Sequence, residues 1–196
     1  MIRLEFLLEE PSMENVLKNI LPLILPADYQ YNRNYFLRPH QGKSDLQKSI
    51  PNKMKTFSHF HEPVMLIILH DQDSNDCIQL KKELTQLCKK HGQCPFFIRI
   101  ICRELESWYL GDMDAIEAAF PSFKAYQYKN KAKYRNPDRL NASDEISKLL
   151  PRFHKLDASK KISQHLKLER NISTSFKNFV SGLKKILTLN QVGSRS

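Results

Sequence analysis

Apolar residues along the chain form two alternating patterns, short unbroken runs and stripes at helical spacing. The runs predict four β-strands, at residues 3–8, 29–37, 64–69 and 96–101. The stripes predict three intervening helices: one from Ser12 to Pro22, one from Gly42 to about Pro51, and one from an Asn75 cap to Gly92. Beyond residue 104 the pattern predicts helical pieces at residues 116–120, 146–150, 162–166 and 176–187.

Strands that alternate with helices predict an α/β fold with a Rossmann-like, mostly parallel sheet of at least four strands. The run 64–69 is apolar throughout, which is typical of a central strand covered on both faces. We expect an α/β core over residues 1–112, a helical, basic extension packed on it over 113–188, and a flexible tail over 189–196.

Candidate chemistry lies where the predicted strands end. In a parallel sheet the carboxyl ends of the strands share one edge, and open α/β folds bind ligands there. The residues that follow the four strands are Glu9 and Glu10, then His40 and Lys43, then His70-Asp71-Gln72-Asp73, then Arg103-Glu104-Leu105-Glu106. These acids converge, and such a cluster needs protons or a cation; oxygen ligands suit Mg²⁺ or Mn²⁺. In an extended segment, the Asp71-x-Asp73 spacing points both carboxylates the same way.

Several of these residues also have a plainer interpretation. Glu104 and Glu106 could simply favour the first turn of a helix. His70 lacks the spacing of a helical metal ligand and is left out of the metal site. Trp108 and Tyr109 could stack on a base, but a lone Trp in an apolar helix usually packs, which favours the core.

Positive charge is concentrated in the second part of the chain. The net charge of +10 divides into 14 Lys and Arg against 16 Asp and Glu over residues 1–120, and 17 against 5 over residues 121–196. This asymmetry favours a polyanionic partner, nucleic acid before membrane, although a solubilising surface has the same composition. Tyrosines interleave with basic residues over 124–135, which suits RNA or single strands. The predicted nucleic-acid contacts are Lys129, Lys131, Lys133 and Arg135, with Arg103 at the sheet edge.

Composition excludes several classes of protein. Hydrophobic residues make up 41% and charged residues 27% of the chain, as in folded globular domains. The longest apolar run, residues 64–69, is far shorter than the roughly 20 residues of a membrane span, so we expect a cytoplasmic protein without membrane contact. The four cysteines include no CxxC pair, which argues against a disulfide framework or structural zinc and favours small buried side chains.

Three segments carry a resemblance to known proteins: residues 8–14 (LEEPSME), 70–77 (HDQDSNDC) and 102–112 (CRELESWYLGD). A glutamate that ends the first strand and a DxD that ends the third resemble the Toprim domain of topoisomerases, primases and OLD-type nucleases. With residues 41–46, 133–138 and 171–183, the chain is similar to an uncharacterised Toprim-like bacterial family that often neighbours an AAA or ABC-type ATPase in phage-defence loci. Toprim domains usually carry glycine after the catalytic glutamate; here Glu10 or Pro11 stands there, so either Glu9 or Glu10 can take that role.

The resemblance implies Mg²⁺- or Mn²⁺-dependent hydrolysis of phosphodiester bonds in DNA or RNA, with an ATPase as protein partner in anti-phage defence. It implies that Asp71 and Asp73 hold the metal and that Glu9 acts as general base or further ligand. Glu104 or Glu106 would hold a second ion.

Basic residues would complete such a site. Lys43, Arg103 and either Lys133 or Arg135 would stabilise charge on the phosphate. Neither the gate domain of a topoisomerase nor the added modules of a primase are found in a chain of this length. The alternative is a non-catalytic nucleic-acid-binding or assembly subunit of a similar complex. A receiver-like or phosphatase-like domain would instead place its key aspartate after the first strand.

Overall fold

The computed structural model describes residues 1–192, with side chains to residue 188. Its strands are β1 (Arg3–Leu8), β2 (Tyr35–Pro39), β3 (Val64–Asp71) and β4 (Phe96–Ile101). They form one sheet in the order β2-β1-β3-β4, and every neighbouring pair is parallel. The predicted α/β fold with a parallel four-stranded sheet is therefore confirmed. The carboxyl ends of β1 and β3 lie side by side at its centre.

The helices follow the strands and then dominate the second part of the chain. They are α1 (Pro11–Ile20), α2 (Lys43–Ser58), α3 (Cys77–His91), α4 (Glu106–Leu110), α5 (Met113–Ala119), α6 (Ala142–Leu149), α7 (Lys155–Ser163) and α8 (Thr174–Val192). Short 3₁₀ turns occur at Leu21–Leu23, Ala125–Gln127, Ala132–Arg135 and Pro137–Arg139. Of the tail predicted over 189–196, residues 193–196 lie outside the described residues.

Alternate residues of the strands build a separate core on each face of the sheet. On one face Leu7 and Ile68 pack with α2 and α3. On the other face Phe6 and Ile67 belong to a larger core that includes α1 and the helices from α4 to α8. The C-terminal helices therefore supply most of the cover for one whole face.

An aromatic cluster anchors α8 on that face. The Trp108 ring packs edge-on against Phe176 and stacks on Phe179, with ring centroids 5.1 and 5.4 Å apart. Its indole N–H donates to the Ser175 hydroxyl at 2.8 Å, so the polar edge of the buried ring is satisfied. The prediction that Trp108 belongs to the core is confirmed.

A second contact, here called the Gly111 clasp, fixes the segment before α8. The Asn171 amide donates to the Trp108 carbonyl at 2.7 Å, and the Ile172 N–H donates to the Gly111 carbonyl at 2.8 Å. A Cβ added at Gly111 would collide with the Asn171 side chain and come 3.0 Å from the Ser173 backbone nitrogen. Glycine is therefore required for this close approach.

The predicted bounds of the second strand are wrong. The strand runs from Tyr35 to Pro39 rather than over residues 29–37; Tyr31 makes an isolated bridge to Tyr35, and residues 32–34 form a turn. The aromatic side chains before the strand have other partners: the Tyr29 hydroxyl donates to the Ile2 carbonyl at 3.0 Å, and the Tyr31 ring packs against Tyr35. The tyrosines that favoured a strand prediction here belong to a loop that covers the start of β1.

The predicted helix bounds are also wrong in places. Helix α2 does not stop at Pro51 but continues through it, since Ile50 and Met54 stay on one buried stripe. Helix α3 is capped by Asp76, whose carboxylate accepts the Gln79 N–H at 2.8 Å, instead of the preceding residue. The helices α5 to α8 begin two to seven residues earlier than predicted.

Two further sequence predictions concern chemistry outside the site. The cysteines are free thiols; Cys88 and Cys94 are buried, whereas Cys77 and Cys102 are only half-buried. Within the described residues, no helix has the length and hydropathy needed to cross a bilayer.

Candidate active site at the carboxyl edge of the sheet

Local sequence brings the first acids to the centre of the sheet edge. β1 ends at Leu8, and Pro11 opens α1 at once, so Glu9 and Glu10 occupy the short connection between them. Gly42 adopts a φ of +96°, a conformation that favours glycine, and its N–H donates to the Glu9 carbonyl at 2.8 Å. The start of α2, with Lys43, is thereby held beside the end of β1.

The Glu9 side chain joins the ends of β1 and β3. Its Oε2 accepts the Asp71 backbone N–H at 2.9 Å and lies 3.0 Å from Nδ1 of the buried His70. Burial alone would raise the pKa of Glu9, but the hydrogen bond and charge of His70 and the Asp71 N–H lower it overall. Conversely, burial would lower the pKa of His70, and its contact with Glu9 raises it. This carboxylate is thus already occupied by protein donors.

A second group of acids, here called the acid cluster, consists of Glu10, Asp71 and Glu106. Asp71 ends β3 and is 4% exposed, and Glu106 begins α4 and is fully buried. Asp71 Oδ1 and both carboxylate oxygens of Glu106 are buried without a hydrogen-bond partner. Unpartnered carboxylate oxygens inside a protein are costly, so this arrangement calls for protons or a cation.

The electrostatics of the acid cluster follow from its burial. Burial raises the pKa of Asp71 well above its ordinary value, and the nearby Glu10, Glu9 and Glu106 raise it further. Burial likewise raises the pKa of Glu106, against the opposing effect of Lys155. Asp71 and Glu106 therefore retain protons at a pH where exposed carboxylates have lost theirs.

Lys155, the first residue of α7, provides the cluster with a cation. Its Nζ lies 2.8 Å from Glu10 Oε1 and 3.5 Å from Glu106 Oε1. Glu10 also accepts a hydrogen bond from the Ser12 hydroxyl. Burial would lower the pKa of Lys155, but Glu106 and Glu10 raise it, so the side chain stays charged.

The second aspartate of the DxD lies apart from the first. Asp73 stands in a turn with φ of +51°, so the expectation of an extended Asp71-x-Asp73 segment is wrong. Its half-exposed carboxylate pairs with Lys43 at 3.2 Å, and its N–H donates to the carbonyl of Arg103 at 2.8 Å. Arg103 has a φ of +57°, and left-handed backbone at a non-glycine residue costs of order 1–3 kcal/mol. Two strained turns are thus held together beside the acid cluster.

The Glu104 carboxylate stabilises the first turn of α6. Its Oε2 accepts the Ser143 N–H at 2.7 Å, which satisfies a free donor in the first turn of α6. Together with Asp73, Arg103 and Asn141 it lines an open cavity of about 290 Å³ at the ends of β3 and β4. The sheet edge therefore has a buried part, the acid cluster, and an exposed rim.

Four of the predicted nucleic-acid contacts lie in the segment after α5, Lys133 and Arg135 in the 3₁₀ turn Ala132–Arg135 and Lys129 and Lys131 just before it. Lys129 pairs with Asp114 at 3.0 Å, Lys133 pairs with Glu145 at 2.5 Å, and Lys131 lies over the Tyr128 ring. Arg135 ends the Ala132–Arg135 turn and is exposed. Part of this positive charge is thus neutralised within the chain.

Sequence reasoning missed Lys155 and left out His70. No local signal pointed to Lys155, because the helix was predicted only over residues 162–166, whereas α7 begins at Lys155 itself. His70 is a buried partner of Glu9 and not an isolated surface residue. Tyr109, predicted as core, is fully buried; burial and the nearby Glu106 raise the pKa of its unpartnered hydroxyl well above its ordinary value.

Oxygen donors of the acid cluster suit a hard divalent cation, and the unpartnered atoms of Asp71 and Glu106 are available to one. Their present spacing is a different matter. Across the described part of the chain, no three His, Cys, Asp or Glu side chains are placed so that they could hold a metal ion. The donor chemistry fits, while the present arrangement of the acids is not a closed coordination site.

Comparison with known proteins identifies one related group. A family model described as "Domain of unknown function (DUF4276)" matches residues 8–184. No curated protein and no solved structure gives a significant match. The matched region includes every residue of the acid cluster and Lys155.

Proposed function

Since the chain belongs to the DUF4276 family of unknown function, we propose a function from the site itself: Mg²⁺- or Mn²⁺-dependent hydrolysis of phosphodiester bonds in nucleic acid. The observation that carries the proposal is the pair of buried carboxylates, Asp71 and Glu106, with unpartnered oxygens at the carboxyl edge of a parallel sheet. Titratable groups strongly perturbed by burial concentrate at catalytic sites. Parallel sheets bind their ligands at this edge.

The residues divide into interior ligands and a rim. Asp71, Glu106 and Glu10 would hold an ion in the acid cluster, while Asp73 and Glu104 are the acids available on the adjoining rim. When bound, the metal would polarise the phosphate and lower the pKa of a water. Glu9, already engaged by His70 and the Asp71 N–H, would position the end of β3 rather than bind the metal itself.

Cations at the rim would orient the substrate. Arg103 lines the open cavity, and Lys43 pairs with Asp73, which also lines it. Neither basic side chain is buried. A phosphate placed there would replace Asp73 as the partner of Lys43 and meet the guanidinium of Arg103. The positively charged second part of the chain, including Arg135, would add contacts to the phosphate backbone that do not depend on sequence.

The Toprim relationship and an ATPase partner in anti-phage defence belong to the same proposal. They rest on the glutamate after β1, the DxD after β3 and the segment 102–112. A second candidate is a non-catalytic nucleic-acid-binding or assembly subunit. It is favoured by the neutralisation of Glu10 by Lys155 and by the internal pairing of Lys129 and Lys133.

A cleavage assay separates the two candidates. Purified protein, with and without an ATPase encoded beside it, would be incubated with single-stranded DNA, duplex DNA and RNA in Mn²⁺, in Mg²⁺ and in chelator. We expect cleavage that requires metal and is lost in Asp71→Asn, while the exposed control Asp157→Asn retains it. Cleavage that persists in chelator or in Asp71→Asn would refute the mechanism. Absence of cleavage on all substrates with the ATPase present would favour the assembly subunit.

A binding assay tests the basic segment. Replacing Lys129, Lys131, Lys133 and Arg135 together by Gln should weaken binding to all sequences alike. Each lost phosphate contact should reduce the slope of log affinity against log salt by roughly 0.7–0.9. An unchanged slope would assign this charge to intramolecular pairing and solubility.

A further inference from the structure

The cation that neutralises the acid cluster comes from the distant C-terminal half of the chain. Among the described residues, Lys155 is the sole lysine or arginine within 4 Å of the carboxylates of Glu10 and Glu106. It stands at the amino end of α7, where the helix dipole opposes a positive charge. Its position therefore depends on attraction to the acids.

We propose that Lys155 is a resident counter-ion that a divalent metal must displace from Glu10 and Glu106 before the site can work. The inference rests on the proposed metal-dependent function and specifies how that same site is kept inactive. With Lys155 in place its ammonium group bonds to Glu10 and lies 3.5 Å from Glu106 Oε1, where it partly offsets the charge of the cluster. In the same arrangement no three His, Cys, Asp or Glu side chains of the described residues are placed to hold an ion, so metal entry requires the acids to move as well as the lysine.

The geometry makes the two cations competitors. Glu10 Oε1 already bonds to the ammonium at 2.8 Å, and Glu106 Oε1 lies 3.5 Å from it. A metal bound by these oxygens would lie within a few ångströms of a positive charge, at which distance repulsion is strong. The lysine must leave, or the metal cannot enter.

The displaced Lys155 side chain can move into solvent. That side chain is 39% exposed, so it reaches the acids from solvent and is not enclosed with them. The residues on either side of it, His154 and Leu156, are exposed. An open cavity of about 600 Å³, lined by Arg152, His154 and Asp157, adjoins the start of α7. Displacement therefore needs rotation of one long side chain and no unfolding of the helix.

The test compares Lys155→Met with Lys160→Met, which removes the same charge from an exposed position on the same helix. Free Mn²⁺ would be followed by electron paramagnetic resonance during titration of each protein. We expect Lys155→Met to bind Mn²⁺ at least about tenfold more tightly than wild type, since a competing unit charge has been removed, and Lys160→Met to match wild type. Thermal melting should show a lower Tm for metal-free Lys155→Met and a larger rise with Mn²⁺.

The outcomes distinguish this inference from the function on which it rests. Equal or weaker Mn²⁺ binding by Lys155→Met, with binding retained in wild type, would overturn displacement and make Lys155 a fixed part of the loaded site. Absence of Mn²⁺ binding in all three proteins would overturn the metal-dependent function itself, and this inference with it.

A measurement on the wild-type chain covers the case in which Lys155→Met fails to fold. Amine acetylation by an N-hydroxysuccinimide ester, read by mass spectrometry, would be compared at Lys155 and Lys160 with and without Mg²⁺. Displacement predicts that Mg²⁺ accelerates acetylation of Lys155 and leaves Lys160 unchanged. Equal or slower acetylation of Lys155 in Mg²⁺ would overturn the proposal.

Discussion

Replacing Asp71 by Asn should stabilise the protein while it abolishes metal-dependent activity. Asp71 is almost completely buried, and its Oδ1 lacks a partner near Glu10 and Glu106. A buried polar atom without a partner costs about 1–3 kcal/mol. The amide of Asn bears no charge, and its N–H groups can donate to a neighbouring carboxylate. We expect a gain of about 1–2 kcal/mol at pH 8, or a rise in Tm of about 2–8 °C.

The gain should depend on pH in a fixed direction. The folded-state pKa of Asp71 is raised, so the unfolded chain releases this proton at a lower pH than the folded chain does. Wild-type stability therefore falls as pH rises from the unfolded pKa towards the folded one. Below about pH 4, close to the ordinary pKa of Asp, both states hold the proton and the advantage of Asn should nearly vanish.

Thermal melts of wild type, Asp71→Asn and the exposed control Asp157→Asn, at several pH values between 4 and 9, would test the reasoning. The control pairs with Lys161 on the helix surface and should change stability by less than about 0.5 kcal/mol. The reasoning would be refuted if Asp71→Asn were less stable than wild type at pH 8, which would make Asp71 a structural residue. It would also be refuted if the stability gained by Asp71→Asn were the same at all pH values.

Three further predictions concern stability. Glu9→Gln should lose about 1–3 kcal/mol at pH 7, because a charged acceptor of the His70 and backbone N–H groups is lost. Since the pKa of Glu9 is lowered, this loss should shrink as the pH falls through that pKa, the opposite trend to Asp71; a constant difference in urea melts would contradict it. Gly111→Ala should lower the free energy of unfolding in urea by about 1–3 kcal/mol, because the added Cβ meets Asn171 and Ser173. An unchanged free energy of unfolding would show that the segment before α8 can move to make room for it. Phe176→Ala should cost about 3–5 kcal/mol in the same assay, and a loss under 1 kcal/mol would contradict its place in the core.

The sheet could be predicted because its strands are unusually apolar. β1 and β4 have the predicted bounds. β3 is two residues longer than predicted, because the polar residues His70 and Asp71 are buried and continue the strand. The second strand was harder, since the tyrosines of residues 29–34 match the composition of a strand but form a loop. Composition cannot distinguish an aromatic that pairs in a sheet from one that covers its end.

The candidate site could be predicted only where it follows directly from strand ends. Glu9, Glu10 and Asp71 lie together because parallel topology places the ends of β1 and β3 side by side. The separation of Asp73 from Asp71 depends on one left-handed residue, which a sequence does not reveal for aspartate. Lys155 reaches the cluster through the packing of α7 on α1, a long-range contact that no local pattern encodes.

The aromatic cover around Trp108 has a consequence for the chain while it is being synthesised. All four strands and every residue of the acid cluster leave the ribosome before Lys155, and Phe176 and Phe179 come later still. During that interval one face of the nascent sheet lacks the cover of α7 and α8, and the acid cluster has no Lys155 beside it. A chain truncated between residues 112 and 154 therefore exposes apolar surface that chaperones and proteases recognise, and does not form a small unregulated enzyme.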